Sequence, residues 1–423
     1  MKRHLLVVAI LCCTAVAVCA QVSKLFSPAD IPETVGFSAE RLKRIDKMID
    51  EHLSKNIVPG AVVLITRNGK IVLHKAYGYS DLENKTAQKK DDIFRIASQS
   101  KAITSLAVMM LWEEGKFLLD DPISRYIPEF KDQKVLKSYN PRDSSYTTEP
   151  AKSEITIRQL LTHTSGLDYA SIGSDNFTAI YAKAGVTSGI GNANAVLGDK
   201  MKILATLPLK HQPGEQWTYG LNTDMLGYLV EVLSGMSFDE FLRKRIFGPL
   251  GMKDTYFYLP PEKYSRLVPL YTTDNGVLKK VTGAVFDHNN SNYPTSPGKY
   301  YSGGAGLSST VMDYAIFLQL FLNGGQYNGV RLLSRKTVEL MLTNQLEKIN
   351  DNFGLGFALE TGTNDYLSPF SLGSFSWGGA FNTQYWADPK EKLIGVIYTN
   401  IYKTTSGGIG DKFKVMTYQS IID

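Results

Sequence analysis

Ser98 and Lys101 lie three residues apart in the stretch Ser98-Gln99-Ser100-Lys101. On a helix that spacing brings the two side chains together across one turn. A serine hydroxyl becomes a nucleophile when a base takes its proton, and a lysine in dry surroundings can act as that base near neutral pH. At an amino-terminal helix end, backbone N–H groups and the helix dipole also favour developing negative charge. One turn thus supplies a nucleophile, a candidate base and half an oxyanion hole. The same residues have a plainer reading, because serine is a favoured helix cap and a nearby lysine is usually solvated. Ser100 points roughly 200° away from Ser98 at helical spacing and shares the lysine less easily.

The elements around this turn follow from periodicity. Ile103, Leu106, Ala107, Met110 and Leu111 form an apolar stripe on the helix that carries it, and Asp120-Asp121-Pro122 closes that segment. Upstream, Ser38 caps a helix running to about Lys55, with Leu42, Ile45, Met48, Ile49 and Leu53 at helical spacing. The runs from Ala61 to Thr66 and from Ile71 to Tyr77 flank Asn68-Gly69, a strong hairpin signal. The middle third reads as helical and loop-rich. It has a short helix from Ile157 to His163, a long polar surface loop from Gly173 to Gly198, and helices over Thr223 to Ser234 and Phe238 to Phe247. A helix from Thr310 to Leu322 follows Gly303-Gly304-Ala305-Gly306. Strands over Phe375 to Ala380, Gln384 to Asp388 and Leu393 to Asn400 precede a last helix from about Asp411 to Ile421. The simplest α+β architecture is an antiparallel sheet assembled from both chain ends and flanked by the terminal helices. The mostly helical lobe, roughly residues 105–300, is inserted into it.

The totals bound the class. Of 423 residues, 43% are apolar, enough for a sizeable core. Lys2 and Arg3 before the apolar run from Leu5 to Cys19, with Ala20 at its exit, read as a secretory signal peptide over residues 1–20. A lipoprotein anchor at Cys19 is the rival reading. Both place the protein in the periplasm or outside the cell. Cys12, Cys13 and Cys19 all fall in that leader, so the remainder, residues 21–423, has no disulfide and no cysteine-ligated metal. Without Lys2 and Arg3 the balance is 44 basic to 41 acidic residues, a scattered formal +3. No basic stripe points to nucleic acid, and no later apolar run has the length to span a bilayer.

Context raises the Ser98 turn above coincidence. The stretch FRIASQSKAITSLAVMMLWEEGKFLLDDPISRYIPEF resembles the nucleophile helix of serine β-lactamases and penicillin-binding proteins, in particular the class C β-lactamase-like hydrolases. ITIRQLLTHTSGL (from Ile155), PGEQWTYGLNTDMLGYLVE (from Pro213) and GGAGLSSTVMDYAIFLQLFLNGG (from Gly303) look like three further family segments, in order and spanning nearly the whole chain. The resemblance implies the β-lactamase/transpeptidase-like fold. It also implies an acyl-enzyme on Ser98, with Lys101 and Tyr219 moving the proton, and no metal or cofactor. The family's Tyr-x-Asn element departs here: Leu221 stands where the asparagine belongs, and Asn222, kept as a substrate-binding candidate, comes one residue late.

The family's Lys-Thr-Gly triplet is replaced by Trp377-Gly378-Gly379, which looks like the family VIII carboxylesterases. A lysine there would pair with a substrate carboxylate, whereas Trp377 offers an apolar face and one N–H. Gly378 and Gly379 would let a substrate approach the backbone, and Ala380 N–H would complete the oxyanion hole with Ser98 N–H. The implied substrate is a neutral ester. The alternatives are a β-lactam, a D-amino-acid peptide, a penicillin-binding protein that acylates without turnover, or a non-catalytic envelope module. Ser174-Asp175-Asn176 and Lys403-Thr404-Thr405 match related motifs in letters but not in surroundings, and His163 reads as structural.

Overall fold

The computed structural model describes residues 26–187, 189–190, 194–286, 290–349, 351–403 and 406–423. The expected leader, Cys19 included, lies outside the described residues. The expected hairpin forms from β1 (Gly60–Arg67) and β2 (Lys70–Asp81), joined through Asn68 and Gly69, both at positive φ. β3 (Phe375–Gly379), β4 (Thr383–Asp388) and β5 (Leu393–Tyr398) form the carboxyl-terminal meander. The two chain ends meet where β5 pairs antiparallel with β1, Leu393 opposite Arg67 and Tyr398 opposite Val62. The sheet order is Ser27–Pro28, β2, β1, β5, β4, β3, Ala358–Leu359. It is antiparallel throughout except at its outer edge, where Ser27 and Pro28 run parallel to β2.

β1 and β5 are apolar at nearly every position because both their faces are covered. Ala61, Val63 and Ile65 face α1 (Ala39–Ser54) and the last helix, α5 (Ile409–Tyr418), in a cluster with Ile45, Ile49, Trp386 and Phe413. Val62 and Leu64 face the other way, into the main core around α2 (Ser100–Glu113). α2 is buried from Ser100 to Leu111, polar positions included, so it is a central helix rather than the one-sided helix its apolar stripe suggested. Against it pack α3 (Asn222–Ser234) and α4 (Val311–Leu322), whose cap Thr310 accepts from the Asp313 N–H.

The middle segment differs from expectation in two respects. Gly173 to Gly198 is not one loop: Asp175–Ala184 is helical and ends at Gly185 in the left-handed conformation. Phe177, Ile180 and Tyr181 bury one side of it. Two antiparallel ribbons, Lys134–Asn140 with Ser145–Pro150 and Tyr271–Asp274 with Val277–Lys280, also stand among the helices.

Candidate active site

Ser98 does not sit inside α2. It lies in a 3₁₀ turn, Ala97–Gln99, immediately before the helix. Ala97 is wholly buried at φ +43°, a conformation an L-residue adopts only when its surroundings impose it. Three neighbours impose it here. Ser100 Oγ donates to Ala97 O at 2.7 Å and accepts from Leu307 N at 3.1 Å. Gln99 is held by Tyr314 Oη on its carbonyl (2.9 Å) and by Tyr398 Oη on its side chain (2.7 Å). The second serine of the motif is therefore a brace for the first.

Lys101 is 3% exposed and points at Ser98. Its Nζ donates to Ser98 Oγ at 3.3 Å, Tyr169 Oη at 2.8 Å and Gly304 O at 2.7 Å. An ammonium has three donors, and each finds an acceptor. Tyr219 Oη is hydrogen-bonded to Ser98 Oγ at 2.5 Å, and Lys101 Nζ lies 4.4 Å from the centre of the Tyr219 ring. Lys101 from three residues away and Tyr219 from 121 residues away thus converge on one hydroxyl.

An aromatic box fixes the Tyr219 ring. Trp217 stacks on it at 5.9 Å, and Tyr169, His163 and Trp377 approach at 5.2, 5.2 and 5.7 Å. His163 is buried, and burial together with the nearby Lys101 charge pushes its imidazole well below the usual range. It is neutral and accepts from the Asn222 amide at 3.0 Å. Asn222 is 0% exposed and also accepts from Ser165 Oγ; it is not among the cleft-lining residues. Its place one position late in the Tyr-x-Asn spacing turns it from the substrate to the box.

Ser98 and Tyr219 open onto a cleft of about 530 Å³ whose far wall is Trp377 to Ala380 at the end of β3. Gly379 lines this wall, but its missing side chain serves the fold: a Cβ would meet Ile96 O at 2.4 Å and Thr383 Oγ1 at 2.2 Å. β3 can approach the Ser98 turn only because that position is bare. Gly378 is different, its nearest neighbour standing 3.4 Å from a built Cβ. Lys414 is the cation of the lining. Its Nζ lies 4.6 Å from the centre of the Phe370 ring and 3.5 Å from Asp411 Oδ1.

Sequence reasoning missed Tyr169 and Asp224. Tyr169 is buried, its phenol pushed well above the usual range by burial and by neighbouring Tyr219 and Asp224. Asp224 is buried behind Gly304. Tyr169 stands just after the ITIRQLLTHTSGL segment and Asp224 inside PGEQWTYGLNTDMLGYLVE, and those positions were their only marks. Ser174-Asp175-Asn176 starts the helix after Gly173 and is absent from the cleft lining, as is Lys403. Thr404 and Thr405 lie outside the described residues. Among the described residues no three His, Cys, Asp or Glu side chains gather as a metal site, and no helix is long and apolar enough to cross a membrane.

The beta-lactamase family model matches residues 45–415. The chain belongs to the beta-lactamase family. Among similar members, Protein Rv1367c of Mycobacterium tuberculosis is 33% identical over 365 residues, covering 82% of this chain and 86% of that one. Esterase EstB of Burkholderia gladioli is 28% identical over 396 residues, covering 88% and 93%. Among solved structures of the same fold, EstCE1, described as a hydrolase with promiscuous acyltransferase activity, superposes with a TM-score of 0.77 at 25% identity, over 90% of this chain and 99% of that one. Simvastatin synthase from Aspergillus terreus shares the fold, with a TM-score of 0.74 at 24% identity over 90% and 98%. This beta-lactamase family member is a serine hydrolase with esterase-like relatives.

Proposed function

We propose that the protein is an exported carboxylesterase that cleaves neutral esters through an acyl-enzyme on Ser98. The observation that carries the reading is the pairing of a 2.5 Å Ser98–Tyr219 contact with a wall that presents Trp377 where a carboxylate-binding lysine would stand. Lys101 has all three N–H groups engaged, so it serves as a fixed charge and Tyr219 as the base. With Tyr219 as the phenolate, its own proton given up to solvent, Ser98 Oγ attacks the ester carbonyl while its proton passes to Tyr219 Oη. The N–H groups of Ser98 and Ala380 receive the oxyanion. Collapse returns the proton from Tyr219 to the departing alcohol, and water repeats the sequence on the acyl-enzyme to release the acid. Acid–base help of this kind contributes about 10²–10⁴, and each oxyanion donor about 10²–10³.

The neutral-substrate reading rests on charge. Lys414 is turned toward Phe370 and Asp411, leaving Trp377 and the β3 backbone to meet the group beside the scissile bond. The esterase names among the relatives support it. Export rests on the basic and apolar start of the sequence, from Lys2 to Ala20.

The test compares p-nitrophenyl butyrate with nitrocefin on one preparation. The ester is expected to turn over far faster; the reverse order would make the protein a β-lactamase. A stable adduct on Ser98 without turnover, seen by mass spectrometry, would make it a penicillin-binding protein. Ser98→Ala is expected to remove about 10⁶ in kcat, as loss of a serine nucleophile does, with the fold intact by circular dichroism.

A further inference from the structure

Asp224, the third residue of α3, is 0% exposed and lies behind the nucleophile rather than in the cleft. Its Oδ2 has no hydrogen-bond donor among the described residues, and its Oδ1 meets Tyr300 Oη only at 3.5 Å. A carboxylate buried with so little protein solvation is costly unless a charge answers it. The answering charge is Lys101. Gly304 stands between the two: its carbonyl accepts from Lys101 Nζ at 2.7 Å, and a Cβ built on it would fall 2.5 Å from Asp224 Oδ2 and 3.3 Å from Tyr169 Oη. A side chain at position 304 would thus displace both groups.

The titratable groups facing Asp224 are Lys101 from α2, Tyr169 from the loop before the Asp175–Ala184 helix, and Tyr300 from the segment before the glycine run. Burial pushes Asp224 up to about 6, opposed by the Ser302 hydroxyl, the Lys101 charge and the Tyr300 hydroxyl. It is ionised at neutral pH. Hydrolysis does not route a proton through it, so its charge needs another use.

We infer that Asp224 is a positioning residue for the hydrolytic reaction, acting through Lys101: its carboxylate keeps the ammonium charged and directed at Ser98, so that Tyr219 alone exchanges the proton. This rests on the serine hydrolase reading given above. A buried ammonium is costly without a counter-charge. Removing the carboxylate leaves the charge beneath the Tyr219 ring unanswered.

The test is the pH profile of kcat/KM on p-nitrophenyl butyrate for wild type, Asp224→Asn and Ser98→Ala. Asp224→Asn is expected to move the alkaline limb down by about one pH unit or more. An alkaline limb that coincides with wild type, whatever the absolute rate, overturns the role of Asp224 and leaves the hydrolase reading standing. Hydrolysis surviving in Ser98→Ala overturns that reading instead. A second measurement does not need Asp224→Asn to fold. Electrostatic coupling is reciprocal, so if Asp224 holds the lysine charge, the lysine holds that of Asp224. Carbon-13 NMR of labelled aspartate carboxyls, taken in an Asp313→Asn background because Asp313 is also pushed up to about 6, is expected to show the remaining group near 6 moving up by about one unit or more in Lys101→Met. A carboxyl unmoved by that change overturns the inference.

Discussion

The two walls of the cleft are built differently. On one side, Ser98, Lys101 and Tyr219 are locked by buried contacts: Ala97 in a forced conformation, Ser100 and Gln99 tied to Leu307, Tyr314 and Tyr398, and the rings of Trp217, Tyr169 and His163 around the phenol. On the other, Trp377 to Ala380 end a strand whose outer neighbour, Ala358–Leu359, pairs only with Phe375 and Ser376. In the proposed mechanism the buried wall fixes the chemistry, because a shift of a few tenths of an ångström there must move a core helix. Apart from that of Trp377, which also packs on Tyr219 and Phe353, the side chains of the open wall stand clear of that core, and we propose that specificity is set there.

The largest break in this comparison comes from the buried wall. Tyr219→Phe removes the proposed base but keeps the ring in its box, and is expected to cost about 10²–10⁴ in kcat with little change in KM, measured by steady-state ester hydrolysis. Next comes a stability effect of the same interior. Asp313 near the start of α4, accepting from Asp254 N and Thr255 Oγ1, is pushed by burial from 3.8 to about 6, as Asp224 is. Between those values the folded state binds more protons than the unfolded one, so stability falls as pH rises through that window and levels above about 6. Asp313→Asn is expected to flatten this slope, by at most about 3 kcal/mol for a shift of about two units, in unfolding curves taken from pH 4.5 to 7.5.

Two adjacent glycines sharpen the contrast further. Gly379→Ala forces a methyl group against Ile96 O and is expected to destabilise by about 1–3 kcal/mol and to lower kcat by pulling β3 off the Ser98 turn. Gly378→Ala is expected to stay within about 0.5 kcal/mol. Equal losses in denaturant melts would show that the two positions do not differ as the geometry requires. The smallest effect is a change of preference. Trp377→Lys is expected to favour substrates carrying a carboxylate beside the scissile bond by about tenfold, or about 1.4 kcal/mol, in kcat/KM ratios.

Much of this was legible in the sequence where signals are local. Asn68-Gly69 announced the hairpin, Ser38 and Thr310 announced helix starts, and Trp377-Gly378-Gly379 marked the wall. The nucleophile turn was read as helix because 3₁₀ and α spacing differ little over three residues. The positive φ at Ala97 has no sequence mark, since tertiary contacts impose it. The helix at Asp175–Ala184 was hidden by its glycine-rich and polar flanks, although Phe177, Ile180 and Tyr181 already stood at helical spacing. Tyr169 and Asp224 could not be found by spacing at all. They reach Lys101 from 68 residues away by a hydrogen bond and from beyond Gly304 through the field of a buried charge.

The junction of β1 with β5 carries a consequence for biogenesis. A nascent chain that has emerged as far as Met341 already holds Ser98, Lys101 and Tyr219, yet it has neither the strand that faces them nor the one that zips against Val62. In the proposed mechanism, synthesis must therefore finish before hydrolysis can begin, and a polypeptide truncated ahead of Phe375 is expected to be inert although it carries all three residues.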